Sequence, residues 1–309
     1  MFVTVTAVHS VNRFVFTVPD LEHAERFYKA FGLDVRRSGP RLDLHTYGHP
    51  HRWGSVQADG EAKKLAYLSY GIFADDLELF RRRIAKLGLD CPPHPLGEGA
   101  GLWLRDPDGL ATELVVAPKV SPSEKRKEPA SRGARLRAAP RRSEVAPVRP
   151  HHLSHVLRFT PDVARMVRFC TDVLGLRLSD RSQDLIAFLR SAHGSDHHLV
   201  AFAKSAAPGL HHTSWHVGNL DEVGYGAEQM RAHGYAKGWG VGRHVLGSNY
   251  FYYAQDPWGS FAEYSFGIDF IPADQDWRPG DHPAEDSLYV WGPPPPDDFI
   301  TNYEAPARP

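Results

Sequence analysis

The chain repeats itself, and a fold that must be built twice is the strongest constraint the sequence carries. Residues 16–35, FTVPDLEHAERFYKAFGLDV, can be laid over residues 158–178, RFTPDVARMVRFCTDVLGLRL. Both read as a strand, a Pro-Asp helix start, an amphipathic helix, then Gly-Leu and a new strand. The Asp accepts from free N–H groups of the first helical turn. Leu21, Ala24, Phe27 and Tyr28 follow helical spacing. The halves also end alike, with LWLRDPDGLATELVV (102–116) against YFYYAQDPWGSFAEYSF (250–266). Each is a strand, a tight Asp-Pro-x-Gly turn and a second strand. Seven residues separate Asp106 from Glu113, and seven separate Asp256 from Glu263.

The 309 residues are enough for two such domains with proper cores. The sequence predicts a first domain over 1–118, a basic linker over 119–150, a second domain over 151–270 and a proline-rich tail over 271–309. The linker concentrates Lys and Arg but has no aromatics to stack on bases, and the net charge of the chain is −1. Nucleic acid is therefore not an expected partner. No apolar run is long enough to span a membrane, and the first residues lack the basic and apolar regions of a signal peptide. The two cysteines, Cys91 and Cys170, suggest no disulfide framework, so the expected location is the cytoplasm. The tail holds four consecutive prolines and reads as an extended segment over the domain surface, fixed by Tyr289 and Trp291.

Histidine is unevenly spread: 12 of 18 copies lie from His151 onward. Strand alternation places His155, Leu157 and Phe159 on one face of SHVLRF. It places His212, Ser214 and His216 on one face of HHTSWHV, with His211 on the other. Glu263 in FAEYSF stands among apolar neighbours, where a carboxylate must be paired or ligating. Two histidines and a carboxylate on separate strands match the facial triad that leaves three metal positions open. A lone strand histidine also suits a hydrogen-bonded core. In the first half the positions matching His155, His212 and Glu263 hold Arg13, Tyr67 and Glu113, so only the second half can assemble the triad.

Within each half the strand–helix–strand pattern runs twice, which resembles the βαβββ modules of the vicinal oxygen chelate superfamily. The expected fold is α+β, two tandem domains of two such modules, each forming a cupped, partly open sheet. The segments SHVLRF, HHLVAFAKSAAPGLHHTSWHV, GRHVLGSNYFYY and DPWGSFAEY resemble the type I extradiol ring-cleavage dioxygenases, the catechol 2,3-dioxygenase and 2,3-dihydroxybiphenyl dioxygenase family. The resemblance implies that His155, His212 and Glu263 hold Fe(II), with Mn(II) able to replace it, and that O2 is co-substrate. It implies His198 as acid–base residue, Tyr253 as the active-site tyrosine and His244 as a contact of the substrate hydroxyl. His197 is expected to point away from His198's face, and His216 to be an inward neighbour of His212 without a ligand role. The tail DHPAEDSLYVWGPPPPDDF resembles the metapyrocatechase II and trihydroxytoluene oxygenase branch, which implies a substituted single-ring catechol. Phe251, Trp215 or Trp258 are the expected pocket walls, and a homo-oligomer is the expected assembly. The competing classes are a glyoxalase- or epimerase-type metalloenzyme and a metal-free binding protein.

Overall fold

The computed structural model describes residues 5–99, 101–126 and 139–306. The first half contains β1 (Ser10–Val18), α1 (Leu21–Ala30), β2 (Asp34–Ser38), β3 (Arg41–His45) and β4 (Arg52–Ala58). It continues with β5 (Lys64–Ile72), α2 (Leu77–Leu87), β6 (Leu102–Arg105) and β7 (Ala111–Val116). The second half opens with β8 (His152–Thr160), α3 (Val163–Asp172), β9 (Arg177–Ser182), β10 (Ile186–Arg190), β11 (Ser195–Asp196) and β12 (Val200–Lys204). Then come β13 (Gly209–His216), α4 (Leu220–Ala232), β14 (Gly238–His244), β15 (Tyr250–Gln255) and β16 (Phe261–Phe266). Three short strands follow: β17 (Phe270–Ile271), β18 (Gly280–Asp281) and β19 (Tyr289–Trp291).

The fold is mixed α+β, and its repeat is visible in strand order. The first sheet runs β2-β3-β4-β1-β5-β7-β6, and the second runs β18-β9-β10-β12-β8-β13-β16-β15-β14-β19. Parallel pairs β1–β4 and β5–β7 correspond to β8–β12 and β13–β16. Ser69 sits opposite Arg13 and Glu113, as Ser214 sits opposite His155 and Glu263. The ladders thus place Arg13, Tyr67 and Glu113 at the positions of His155, His212 and Glu263.

Local chemistry explains why both halves fold alike. Asp20 and Asp162 cap α1 and α3 by accepting the His23 and Arg165 N–H groups, each at 2.9 Å. Helix α4 is capped by Asn219 rather than by an aspartate. In the hairpin turns Asp106 Oδ1 accepts from the Asp108 and Leu110 N–H groups, and Asp256 Oδ1 from those of Trp258 and Ser260. Gly109 and Gly259 complete these turns at φ of +83° and +97°, which a side chain would strain. The second module departs from βαβββ, because an isolated bridge from Asp90 to Leu104 replaces one strand. Pro92, Pro93 and Pro95 follow directly, and their missing N–H groups cannot extend a ladder.

The halves pack through aromatic side chains and exchanged charges. Phe31, which follows α1 as its C-cap, stacks on Tyr264 of β16 at 4.0 Å, and the Tyr264 hydroxyl donates to the Phe31 carbonyl. Asp106 Oδ2 accepts from Arg158 of the second half at 2.8 Å. Asp256 Oδ2 pairs with Lys63 of the first half, and all four of these side chains are buried. The tail also bridges: the Glu304 carboxylate accepts the Leu65 N–H of β5 and the Leu210 N–H of β13, each at 2.9 Å. Cys91 and Cys170 are both free. Among the described residues no helix is long and apolar enough to cross a membrane.

Candidate metal centre

Three neighbouring strands bring the predicted ligands to one point. His155 of β8, His212 of β13 and Glu263 of β16 are all buried, and their ligand atoms lie within 4.8 Å of one another. His155 Nε2 lies 3.2 Å from His212 Nε2 and 3.3 Å from Glu263 Oε2, while His212 Nε2 lies 3.5 Å from that oxygen. Atoms ligating one ion at about 2.1 Å and at right angles stand about 3 Å apart. The carboxylate oxygen facing the two rings has no hydrogen-bond partner, although it is buried. A desolvated anion without a donor is costly, and a shared cation removes that cost. The donor set therefore fits a divalent metal with positions open towards the cavity.

The surrounding residues fix each candidate ligand. Glu263 Oε1 accepts from Asn249 Nδ2 at 3.0 Å, and the same amide donates to Ser265 Oγ at 3.0 Å. Burial pushes the Glu263 carboxyl up, but the neighbouring His155 and His244 rings hold it below its ordinary value. Burial, then the nearby His211, His155 and His244 rings, depress His212 well below the usual imidazole range. His155 Nδ1 lies 3.3 Å from Ser154 Oγ, which donates onwards to Asp196 at 3.4 Å.

His198, Tyr253 and His244 face the same cavity of about 100 Å³ as His155 and His212. The His198 ring lies 4.0 Å from that of His155. Burial first, then the surrounding histidines, hold His198 well below its ordinary pKa, so the ring is neutral. The Tyr253 hydroxyl donates to His244 Nε2 at 2.8 Å, because His244 Nδ1 donates to the Leu288 carbonyl at 2.7 Å. Burial and the Glu263 charge raise Tyr253 well above its ordinary value and keep it protonated.

Several expectations from alternation need correction. His197 does not point away from His198: their Nδ1 atoms are 3.0 Å apart, and His197 Nε2 donates to Asp180 at 2.8 Å. Residues 197–199 lie between β11 and β12, where strand parity does not apply. His211 does not face away either, since its ring contacts His212 and borders the cavity. His216 lies two pleats, about 13 Å, beyond His212. It opens onto a separate cavity of about 440 Å³ shared with His152 and Asp196.

None of the expected aromatic walls borders the metal-site cavity. Phe251 stacks behind His244 at 4.1 Å, Trp215 packs on Phe14 at the domain contact, and Trp258 sits near His23. The apolar wall is instead Leu157, Phe188 and Leu246 with Phe299 and Ile300 of the tail. The tail therefore enters the site rather than only covering the surface. Asn249 also escaped the sequence reading, because a lone polar residue in a loop carries no periodicity. The fold brings it in through the β14–β15 turn.

Comparison with known proteins agrees with this geometry. The family described as the glyoxalase/bleomycin resistance protein/dioxygenase superfamily matches residues 152–264. The chain is 51% identical to metapyrocatechase 2 of Cupriavidus necator over 97% of this chain and 93% of that protein. Among solved structures, the Mn(II)-bound glyoxalase from Novosphingobium aromaticivorans superposes with a TM-score of 0.75 at 24% identity, covering 94% of both chains. A point variant of homoprotocatechuate 2,3-dioxygenase from Brevibacterium fuscum superposes at 0.77 and 18% identity, over 96% of this chain and 82% of that one. At these identities the structural likenesses speak for the fold alone.

Proposed function

The chain belongs to the type I extradiol dioxygenases, and from that footing we propose that it opens a substituted single-ring catechol beside its hydroxyl pair, with Fe(II) held by His155, His212 and Glu263. The observation that carries the reading is the convergence of three ligand atoms at 3.2 to 3.5 Å beside a cavity. When bound, the ion supplies a Lewis acid that acidifies the catechol hydroxyls and brings substrate and O2 to one centre. The same ligands suit Mn(II).

His198 is the proton acceptor in this reading. Asp180 can only accept, so His197 Nε2 carries the proton of that bond; with a single proton on each ring, His197 then accepts at Nδ1 and His198 donates there. His198 Nε2 is left with a lone pair, ready to take a catechol proton and return it later. Tyr253 can turn its O–H from His244 to charge that develops on substrate oxygen, which leaves His244 Nε2 free to accept from a substrate hydroxyl. The apolar wall excludes water from these groups. The cavity bordered by Phe299 and Ile300 is about 100 Å³, less than the about 150 Å³ that holds benzene, so one ring needs the tail to give and two rings need it to give further.

The test is protein purified without air, reloaded with Fe(II) or Mn(II), and assayed for oxygen uptake across substituted catechols. A yellow ring-fission product is expected, with single-ring substrates preferred to 2,3-dihydroxybiphenyl. Metal-replete protein that consumes no oxygen with any catechol overturns the reading.

A further inference from the structure

His211 is buried beside the metal pocket, and none of the roles above uses it. Its Nδ1 lies 2.7 Å from His212 Nδ1, and its Nε2 lies 2.8 Å from the Phe299 carbonyl of the tail. A carbonyl oxygen only accepts, so His211 Nε2 carries the proton of that bond. In a neutral ring Nδ1 is then an acceptor, and the short contact takes its proton from His212 Nδ1. That leaves His212 Nε2 with a bare lone pair. Starting from the other end gives the same pattern. A ligating Nε2 cannot hold a proton, so His212 is protonated at Nδ1 and needs an acceptor there. A carbonyl at one end and a cation at the other thus fix every proton between them.

The backbone explains how adjacent strand residues come to meet. In a regular strand they project to opposite faces. Here Leu210 pairs with Arg158 and His212 with Leu157, so His211 is an extra residue in β13 without a ladder partner. Such a bulge re-aims its side chain. The two rings lie with centroids 4.9 Å apart at 74°, close enough for their Nδ1 atoms to share a proton.

We infer that His211 is a positioning residue: it holds His212 as the Nδ1–H tautomer, ready to ligate, and the Phe299 carbonyl holds His211 in turn. The inference rests on His212 being a metal ligand. The competing explanation is packing, because the His211 ring also touches those of Phe159, Phe261 and Phe299.

Three variants separate the two explanations. His211→Asn keeps an acceptor oxygen where Nδ1 stood, His211→Gln reaches towards Phe299 but offers nothing at Nδ1, and His211→Phe fills the space without polar atoms. Anaerobic titration of metal-free protein with Fe(II) should show His211→Gln and His211→Phe weakened by about 10- to 100-fold, with His211→Asn near wild type. A packing role gives the opposite order, with Phe retaining affinity and Asn losing most, and overturns the inference. Nitrogen-15 NMR of histidine-labelled, metal-free protein provides a second readout. His212 should be Nδ1-protonated in wild type and His211→Asn but mixed in His211→Phe; identical tautomers in all three overturn the inference. His212→Ala is the control. If it binds metal like wild type, the site reading fails and the inference with it. If it loses metal while all His211 variants bind normally, the inference alone fails.

Discussion

Arg13 Nη2 lies 3.5 Å from Glu113 Oε2, at the two positions of the first sheet that match His155 and Glu263 in the second. The third matching residue, Tyr67, accepts from the same guanidinium at 3.1 Å. A fixed guanidinium thus supplies in one half the positive charge that a metal would supply at the candidate site of the other.

Removing that charge should cost stability rather than chemistry. Arg13→Met leaves Glu113 buried opposite no cation and should lower unfolding free energy by about 3 kcal/mol. Turnover per folded molecule should be unchanged, and Arg13→Met/Glu113→Gln should recover most of the loss. Urea denaturation measures it; a midpoint identical to wild type in the single variant contradicts the account.

In the second half the matching changes should remove the metal. His212→Ala and Glu263→Ala should each reduce bound iron to the level of a metal-stripped control, with activity lost in parallel. Elemental analysis after anaerobic purification checks this, and full iron with full activity in either variant rules out the ligand assignment.

The proton-handling residues should separate from the ligands. His198→Phe should keep iron but lower kcat by about 10²- to 10⁴-fold. His197→Phe should retain iron, lose about 10-fold in kcat and shift the kcat–pH profile, because His198 loses the partner that fixes its proton. Wild-type kinetics in His197→Phe excludes the Asp180–His197–His198 chain as a functional unit.

Much of this site was legible in the sequence because strand alternation and internal repetition are properties of the chain itself. His155, His212 and Glu263 sit in regular ladders, so parity along each strand and comparison with Arg13, Tyr67 and Glu113 singled them out. Where regularity stops, so did the reading. His211 occupies a bulge and His197 lies between strands, and in both cases alternation pointed the ring the wrong way. Phe299 and Ile300 reach the cavity from a tail with no period, and Asn249 arrives in a turn. Residues of the basic linker at 127–138 lie outside the described residues.

Stability should depend on pH in two opposing ways. Burial lifts Asp196 from an ordinary value of 3.8 to about 7. The folded state keeps that proton after the unfolded chain has lost it, so the contribution is full below about pH 4 and is lost as pH rises towards 7. Burial lowers His9 and His211 to about 4 and His216 to about 3. Their contribution is present above pH 6.5 and fades as pH falls, because the unfolded chain takes up protons first. Asp196→Asn should therefore raise the thermal midpoint near pH 8 and leave it unchanged near pH 4. Midpoints recorded across that range test it; parallel curves for the two proteins refute the assignment.

The buried pairs Arg158–Asp106 and Lys63–Asp256 mean that neither half is a smaller version of the whole. Made alone, each half would present a hairpin aspartate without its counter-ion and a cation with nothing to neutralise it. Each half supplies the counter-ion of the other, so deleting the first would leave Asp256 and Arg158 of the second buried and unpaired. The half with Arg13 and Tyr67 at the matching positions thus serves the other through packing and charge, holding the counter-ions that the other's hairpin and strand require.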